Sequence, residues 1–219
     1  MSKKNGSATA VASESLDLRH PEADDRALSF DRPYAADVTV EGVAPIIFHR
    51  YDVELVERAS GTAKGSKERK TDNVESYVYR VPGKDEIGVT AKIIKASIVH
   101  AGKSLQDPRS KRKSMCDLLK ASIFVTPIVP SLGVKTWDYL DKSRMVVQRS
   151  AIPRVRPALN EGWKCTFTVN VTQPQLVPVK VMRQLIDYSG DFCGWADSRP
   201  DYGRFKVVMF KVRENIATR

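Results

Sequence analysis

The sequence predicts a protein of the α+β class, built on one antiparallel sheet with two helices on a single face. Three observations support this prediction. Apolar residues alternate strictly with polar ones over 163–171, which is typical of a strand with one buried face. Two segments, near 90–105 and 178–190, instead space their apolar residues by three and four, as amphipathic helices do. Strand-like segments flank each helix along the chain.

The first strand is predicted to begin at Asp37. Apolar and polar residues alternate over 37–41, are interrupted by a glycine and a proline, and alternate again over 46–56. The segment therefore forms one long bent strand or two short ones. The stretch 60–73 has four basic residues, two glycines and no large apolar residue, which is a loop composition. A further strand is expected at 77–79.

The first helix is predicted over 90–105, where four apolar residues are spaced by four, three and four. A second basic loop, 107–113, follows it directly. The run 121–126 is rich in β-forming residues and is closed by Pro127 and Pro130, so it predicts a short strand.

The clearest strand is 163–171. Pro178 suits the first turn of a second helix, and Gly190 stands where its C-terminal cap is expected. A final strand is predicted over 203–212. The resulting βαββαβ order is that of the ferredoxin-like or RRM-like fold.

One RRM-like domain is therefore predicted over residues 34–219. Its loop insertions are expected at about 60–73, 107–113 and 127–150. Residues 1–33 mix Ser, Ala, Asp and Arg with little periodicity, and they predict a mobile N-terminal arm.

The charge of the 219-residue chain is unevenly distributed. The chain carries +10 in total, but residues 1–60 hold seven basic and eleven acidic side chains, whereas 61–219 hold 29 and 15. A positive field of this kind concentrates polyanions, of which nucleic acid is the commonest. An anionic membrane surface or an acidic protein partner would also satisfy it.

The composition disfavours several other classes. The sequence has no run of 18 apolar residues and no apolar core of a signal peptide, so we expect no membrane association and a cytoplasmic protein. The three cysteines are far apart and lack CxxC spacing, which argues against a disulfide framework and a zinc site. We expect no metal and no cofactor.

Two segments, 146–163 and 189–208, combine arginine with glycine or tryptophan. Glycine lets a backbone approach phosphate and present N–H donors, and arginine supplies forked donors. Aromatic faces stack on unpaired bases at about 1–3 kcal/mol each, which favours single strands over duplex. With the basic loop 107–113, the candidate nucleic-acid-binding residues are Arg149, Arg154, Arg156, Gly194, Trp195, Arg199, Gly203, Arg204, Lys111, Arg112 and Lys113. The alternative is structural: Trp195 packs in the core and Arg199-Pro200 makes a turn.

The segment 189–208 resembles the C-terminal glycine-rich loop of the RAMP superfamily, the Cas7-like RNA-binding subunits of CRISPR effectors. That loop also follows the second helix of an RRM-like fold. The sequence over roughly 37–212 also resembles phage and prophage proteins of unassigned activity. The specific part of that resemblance is the C-terminal motif within the segment 189–208. Two features depart from these families. The sequence identifies no nucleotide-separating thumb hairpin beyond the insertion 127–150, and the final strand lacks the aromatic pattern of a true RRM.

Catalytic patterns are scarce. The three histidines lack HExxH, GxSxG or P-loop neighbours. His49, followed by Arg50 and Tyr51, is the best candidate for a metal-independent RNase, although a half-buried histidine in a sheet is the favoured interpretation. The aspartates of the segment 189–208 are expected to orient Arg199 and Arg204 through ion pairs, or to solvate the loop.

The favoured function is a non-enzymatic protein that binds single-stranded RNA or DNA through its backbone. The resemblance of the sequence to phage proteins implies that the protein is phage-encoded. We also expect a homo-oligomer or filament laid along the strand, because one RRM-like unit holds few nucleotides. A second hypothesis is a phage protein-interaction module that assembles with itself or blocks a host complex. A third is the RNase.

Overall fold

The computed structural model describes residues 32–50, 74–147 and 150–214 and has an α+β fold. The strands of these ranges are β1 (Tyr34–Gly42), β2 (Ile46–Ile47), β3 (Tyr79–Arg80), β4 (Ile87–Gly88), β5 (Ile123–Thr126), β6 (Ser131–Val134), β7 (Tyr139–Val147), β8 (Ser150–Leu159), β9 (Lys164–Val171) and β10 (Phe205–Glu214). The α-helices are α1 (Ala91–Ala101), α2 (Cys116–Ser122) and α3 (Val179–Tyr188). A π-helical turn, Ser189–Cys193, follows α3.

The central sheet has four antiparallel strands in the order β10-β1-β9-β5. Val38 at the middle of β1 lies opposite Phe167 of β9 and Phe210 of β10. Because α1 lies in the chain between β1 and β5, and α3 between β9 and β10, the connectivity of this sheet is βαββαβ. The predicted fold class is confirmed.

The core lies between one face of this sheet and the helices. Alternation along β1 and β9 turns Val38, Val40 and Phe167 inward, where they are buried against the apolar stripes of α1 and α3. The opposite, open face of the sheet carries the alternate residues. They are Asp37, Thr39, Glu41, Phe124, Thr126, Lys164, Thr166, Thr168, Asn170, Lys206, Met209, Lys211 and Arg213.

The other described strands form two smaller sheets, each of three strands, in the orders β2-β8-β7 and β3-β4-β6. β7 and β8 form a long antiparallel hairpin whose register runs from Tyr139 opposite Ala158 to Val147 opposite Ser150. The region predicted as an insertion over 127–150 therefore contains regular β-structure that continues to Leu159.

Two local predictions are wrong, and one helix was missed. Gly190 does not cap the second helix, because the chain continues through the π-helical turn and reaches a left-handed residue only at Gly194 (φ 67°). At Gly190 a Cβ would instead collide with the carbonyl of Phe205. The strand expected at 77–79 is a 3₁₀ segment, Val74–Tyr77, followed by the two-residue β3. The seven-residue α2 was not predicted, since so short a helix has too few turns to show periodicity.

Part of the predicted organisation lies outside the described residues. This applies to residues 1–31 of the N-terminal arm, to residues 51–56 of the strand segment predicted over 46–56, and to the basic loop 60–73. In the described ranges, no helix is long and apolar enough to cross a membrane.

Candidate nucleic-acid interface

The closing loop, residues 194–204, connects the π-helical turn to β10 and is held against the rest of the domain by its own backbone. The Gly194 N–H donates to the Ser189 carbonyl at 2.8 Å, and the Gly203 N–H donates to the Pro45 carbonyl at 2.7 Å. Both glycines have a positive φ, and a Cβ at Gly203 would collide with the Trp195 carbonyl. These glycines therefore permit close packing within the chain. Their N–H groups are already used, which contradicts the prediction that they donate to phosphate.

Trp195 is the anchor of this loop and not a stacking platform. Its side chain is fully buried, at 0% exposure, and its ring centroid lies 4.5 Å from that of Phe205 and 5.5 Å from that of Trp163. Both of its faces are therefore covered by the protein. The prediction that Trp195 stacks on a base is wrong, and the structural alternative describes it. Trp163 is likewise buried, and its Nε1 donates to the Ala44 carbonyl at 2.9 Å.

Arg156 is also buried, with 2% exposure, so the prediction that it contacts nucleic acid is wrong. It lies on β8 and joins the hairpin to the closing loop. One guanidinium nitrogen donates to the Asp197 carboxylate and to Ser198 Oγ at 3.1 Å. The other donates to the Asp141 carboxylate at 2.7 Å and to Ser143 Oγ at 2.8 Å. A buried arginine with two carboxylates is stable only because both partners are in place.

Asp197 lies at the centre of this cluster and also contacts His49. Its Oδ2 is 3.4 Å from His49 Nδ1, and its Oδ1 accepts from the Ser198 N–H at 2.9 Å. Hydrogen bonds from His49, the Ser198 backbone and Arg156 outweigh the effect of burial and hold the pKa of Asp197 well below its usual range. The carboxylate thus stays ionised. Asp197 therefore orients Arg156 and His49. Neither role expected from the sequence, an ion pair with Arg199 or Arg204 or solvation of the loop, describes it.

The His49 side chain is 32% exposed and therefore half-buried as expected, but the residue follows β2 and does not lie in a strand. Its ring centroid lies 4.8 Å from that of the buried Tyr77, whose hydroxyl accepts from Arg154 at 3.3 Å. Arg154 is half-buried at this position on β8. Arg149, the remaining arginine predicted from this segment, lies outside the described residues.

Arg199 and Arg204 are exposed on the closing loop, as predicted. Within the described ranges, neither guanidinium has a carboxylate at ion-pair distance. The Arg204 carbonyl accepts from the Val43 N–H at 2.9 Å and the Ala44 N–H at 3.3 Å, so the backbone of Arg204 is fixed while its side chain faces solvent.

Beside Arg199 lies a cleft of about 400 Å³ between the closing loop and the C-terminal end of α1. The residues that line it are His100, Phe192, Cys193, Ala196, Asp197, Ser198, Arg199 and Pro200. Phe192 is 69% exposed and makes a perpendicular ring contact with Tyr188 at 5.8 Å between centroids. It is the exposed aromatic of this region, and the sequence analysis missed it. The sequence signal was present only as an aromatic two residues before Gly194 and three residues before the more conspicuous Trp195.

The basic loop 107–113 is a closed turn that displays its cations. The Asp107 N–H donates to the Lys113 carbonyl at 2.9 Å, and the Asp107 carboxylate accepts from the Arg109 side chain at 2.7 Å. This contact and the Arg109 N–H lower the pKa of Asp107 to about 2. The ion pair with Asp107 thereby compensates the positive charge of Arg109. The other cations of the turn, Lys111, Arg112 and Lys113, are exposed.

The open face of the central sheet is less suited to phosphate. Glu41, on a central strand, lies 2.9 Å from Lys206 Nζ and 3.8 Å from Lys164 Nζ. Asp37, on the same strand, pairs with Arg213 at 3.1 Å. These carboxylates compete with phosphate for the lysines and the arginine.

Within the described residues, no group of three or more His, Cys, Asp or Glu side chains is arranged to hold a metal ion. No protein-family profile matches the chain, and no protein of curated function matches it significantly in sequence.

Among solved structures, the chain is similar to a chain in the cryo-EM structure of the type III-B Cmr-beta complex bound to cognate target RNA. The sequence identity is 14% and the TM-score is 0.45, with 84% of this chain and 61% of that chain covered. Similarity at this level carries no argument about function. This chain thus spans less than two thirds of the length of that relative.

Proposed function

We propose that this protein is a non-enzymatic binding protein for single-stranded nucleic acid, which it contacts mainly through the sugar–phosphate backbone. The observation that carries the proposal is the closing loop. Two exposed arginines, Arg199 and Arg204, stand on a loop whose backbone is fixed by the buried residues Trp195 and Arg156. A rigid loop that displays guanidinium groups loses little conformational entropy when they bind phosphate.

The surrounding charges favour the same function. Lys111, Arg112 and Lys113 are exposed on the turn that follows α1, and Lys103 lies between that helix and the turn. Cations without carboxylate partners attract a polyanion more strongly than cations in ion pairs. Phe192 supplies an exposed aromatic surface in the cleft beside Arg199. This combination of phosphate contacts and an aromatic face fits an unpaired strand better than a duplex.

The test is the double variant Arg199→Ala with Arg204→Ala. We expect it to weaken binding of a single strand and to make the dependence of log affinity on log salt shallower, because two phosphate contacts are lost. The matched control is Lys206→Ala with Arg213→Ala, which removes the same charge from the open face, where both cations are paired with carboxylates.

Thermal unfolding of both double variants checks that the fold is kept, since all four side chains are exposed. If the control weakens binding and the closing-loop variant does not, the strand lies on the open face. If neither variant changes binding, the proposed interface is wrong. Purification without nuclease, followed by the ratio of absorbance at 260 and 280 nm, detects any nucleic acid that accompanies the protein, and digestion with RNase or DNase then identifies it.

A phage origin and assembly of copies along the strand belong to the same proposal. The phage origin follows from the resemblance seen in the sequence, and assembly follows because one RRM-like unit holds few nucleotides. The alternative is a protein-interaction module whose basic surface meets an acidic protein partner or a further copy of the chain. A protein that neutralises several phosphates releases their counterions, so its affinity for nucleic acid falls steeply as the salt concentration rises, which separates the two.

The contact between His49 and Asp197 favours an RNase as a second candidate. A histidine whose Nδ1 faces a carboxylate presents Nε2 as a base, and part of the His49 side chain is open to solvent. Incubation with an end-labelled RNA strand tests this candidate. Cleavage by the parent that is lost in His49→Ala would establish an RNase in place of a non-enzymatic binder.

A further inference from the structure

The cleft beside Arg199 combines the features that one nucleotide requires. Its volume of about 400 Å³ lies within the range of about 300–1,000 Å³ that is usual for small-molecule sites. Phe192 offers an aromatic surface at its mouth, and Ala196 and Pro200 add apolar contact area. Arg199 and His100 provide donors on the same rim.

Two cations lie at this cleft. Asp197 is the one acidic residue that lines the cleft in the described chain, and its charge is engaged by Arg156 and His49. Burial raises the pKa of the thiol of Cys193, a lining residue. Arg199 and Lys103 lie close enough to this thiol that their charges oppose that rise. In the described residues Arg199 has no carboxylate at ion-pair distance, so it can pair with a phosphate, while the exposed Asp191 and Asp201 beside the lining residues Phe192 and Pro200 weaken the attraction of an anion.

The wall of the cleft is held in an uncommon conformation. Ala196 and Ser198 both have a positive φ, of 61° and 57°. Non-glycine residues adopt this region only where the surrounding structure fixes them, and such residues concentrate at ligand sites. Here the fixing contacts are explicit: the Asp197 N–H donates to the Ile47 carbonyl at 3.1 Å, and Arg156 holds the Asp197 carboxylate and Ser198 Oγ. The cleft is thus preformed.

We propose that this cleft receives one nucleotide, with its base stacked on Phe192 and its phosphate against Arg199. The proposal rests on the proposed function in so far as that nucleotide belongs to a bound strand. It also goes further, because it assigns base stacking to Phe192, at a defined place between the closing loop and α1.

The experiment compares Phe192→Ala with Phe124→Ala. Both residues are exposed phenylalanines, but Phe124 lies on the open face at the opposite edge of the central sheet from β10. Each protein is titrated with an oligonucleotide and with an abasic strand of the same length, which keeps the phosphates and lacks the bases. In a second arm, each is titrated with AMP and with ribose 5-phosphate.

We expect Phe192→Ala to weaken binding of the normal strand by about 5- to 150-fold, which corresponds to the loss of one base stacked on an aromatic ring. Its affinity for the abasic strand should be that of the parent, and Phe124→Ala should bind both strands as the parent does. Far-UV circular dichroism verifies that both variants are folded.

The outcomes separate the cleft from the proposed function. If the parent binds strands and Phe192→Ala binds the normal strand equally well, or loses affinity for both strands alike, the cleft proposal is overturned and strand binding stands. If the parent binds no strand but binds AMP more tightly than ribose 5-phosphate, and Phe192→Ala loses that preference, the cleft is a site for a free nucleotide and strand binding is overturned. If the parent binds neither a strand nor AMP, both proposals fail.

Discussion

Replacement of Arg156 by methionine tests how the closing loop is held. Methionine fills much of the same volume but removes the charge and four hydrogen bonds, to Asp197, Ser198, Asp141 and Ser143. The two carboxylates are then left without their cation, although they are only 18% and 28% exposed. Removing one partner from a buried ion pair costs about 3–5 kcal/mol. Since water reaches both carboxylates in part, we expect the lower end, about 3 kcal/mol.

Urea denaturation, followed by tryptophan fluorescence, measures this loss, because Trp163 and Trp195 are buried beside the loop. With a slope of about 2–3 kcal/mol per molar urea, the midpoint falls by about 1–1.5 M. Arg144→Met on β7 is the matched control, since Arg144 is exposed and its loss should move the midpoint little. The reasoning is refuted if the two variants have the same midpoint.

A compensating variant separates lost charge balance from lost packing. Asp141→Asn together with Asp197→Asn should restore part of the stability of Arg156→Met, because the amides need no cation. In the parent background the same double substitution should destabilise, because it leaves a buried guanidinium without carboxylates. If the triple variant is no more stable than Arg156→Met, the loss is due to packing alone.

Two further predictions follow from the site. Because the folded-state pKa of Asp197 is lowered, its stabilising effect is complete above its ordinary pKa of about 3.9 and is lost as the pH falls through the folded value. Urea midpoints measured from neutral pH downward should therefore fall more steeply for the parent than for Asp197→Asn, and parallel curves would contradict this. Replacing Lys111, Arg112 and Lys113 by serine should make the salt slope of single-strand binding shallower by about 2, at about 0.7 per lost phosphate contact. An unchanged slope would show that these side chains only solubilise the turn.

The sequence by itself determined the architecture of the central sheet. Strict alternation over 163–171 and the helical spacing after Thr90 and Pro178 are local patterns, and each survives folding because one face of each element must be buried. The exposure of Lys111, Arg112 and Lys113 was equally predictable, since a short run with several like charges stays in solvent. The sequence also directed attention to the segments 146–163 and 189–208, which the structure brings together through Arg156 and Asp197.

Only the tertiary structure decided which residues of those segments face solvent. Arg156 and Arg199 are both arginines near small or apolar neighbours, but Arg156 meets Asp141 and Asp197, which lie far from each other in the chain. Trp195 and Phe192 are both aromatics near Gly194, yet Trp195 packs against Phe205 and Phe192 projects from the π-helical turn. Burial of such side chains is set by what the fold places opposite them. A pattern within one segment contains no information about that partner, so the assignment of buried anchor and exposed contact had to come from the structure.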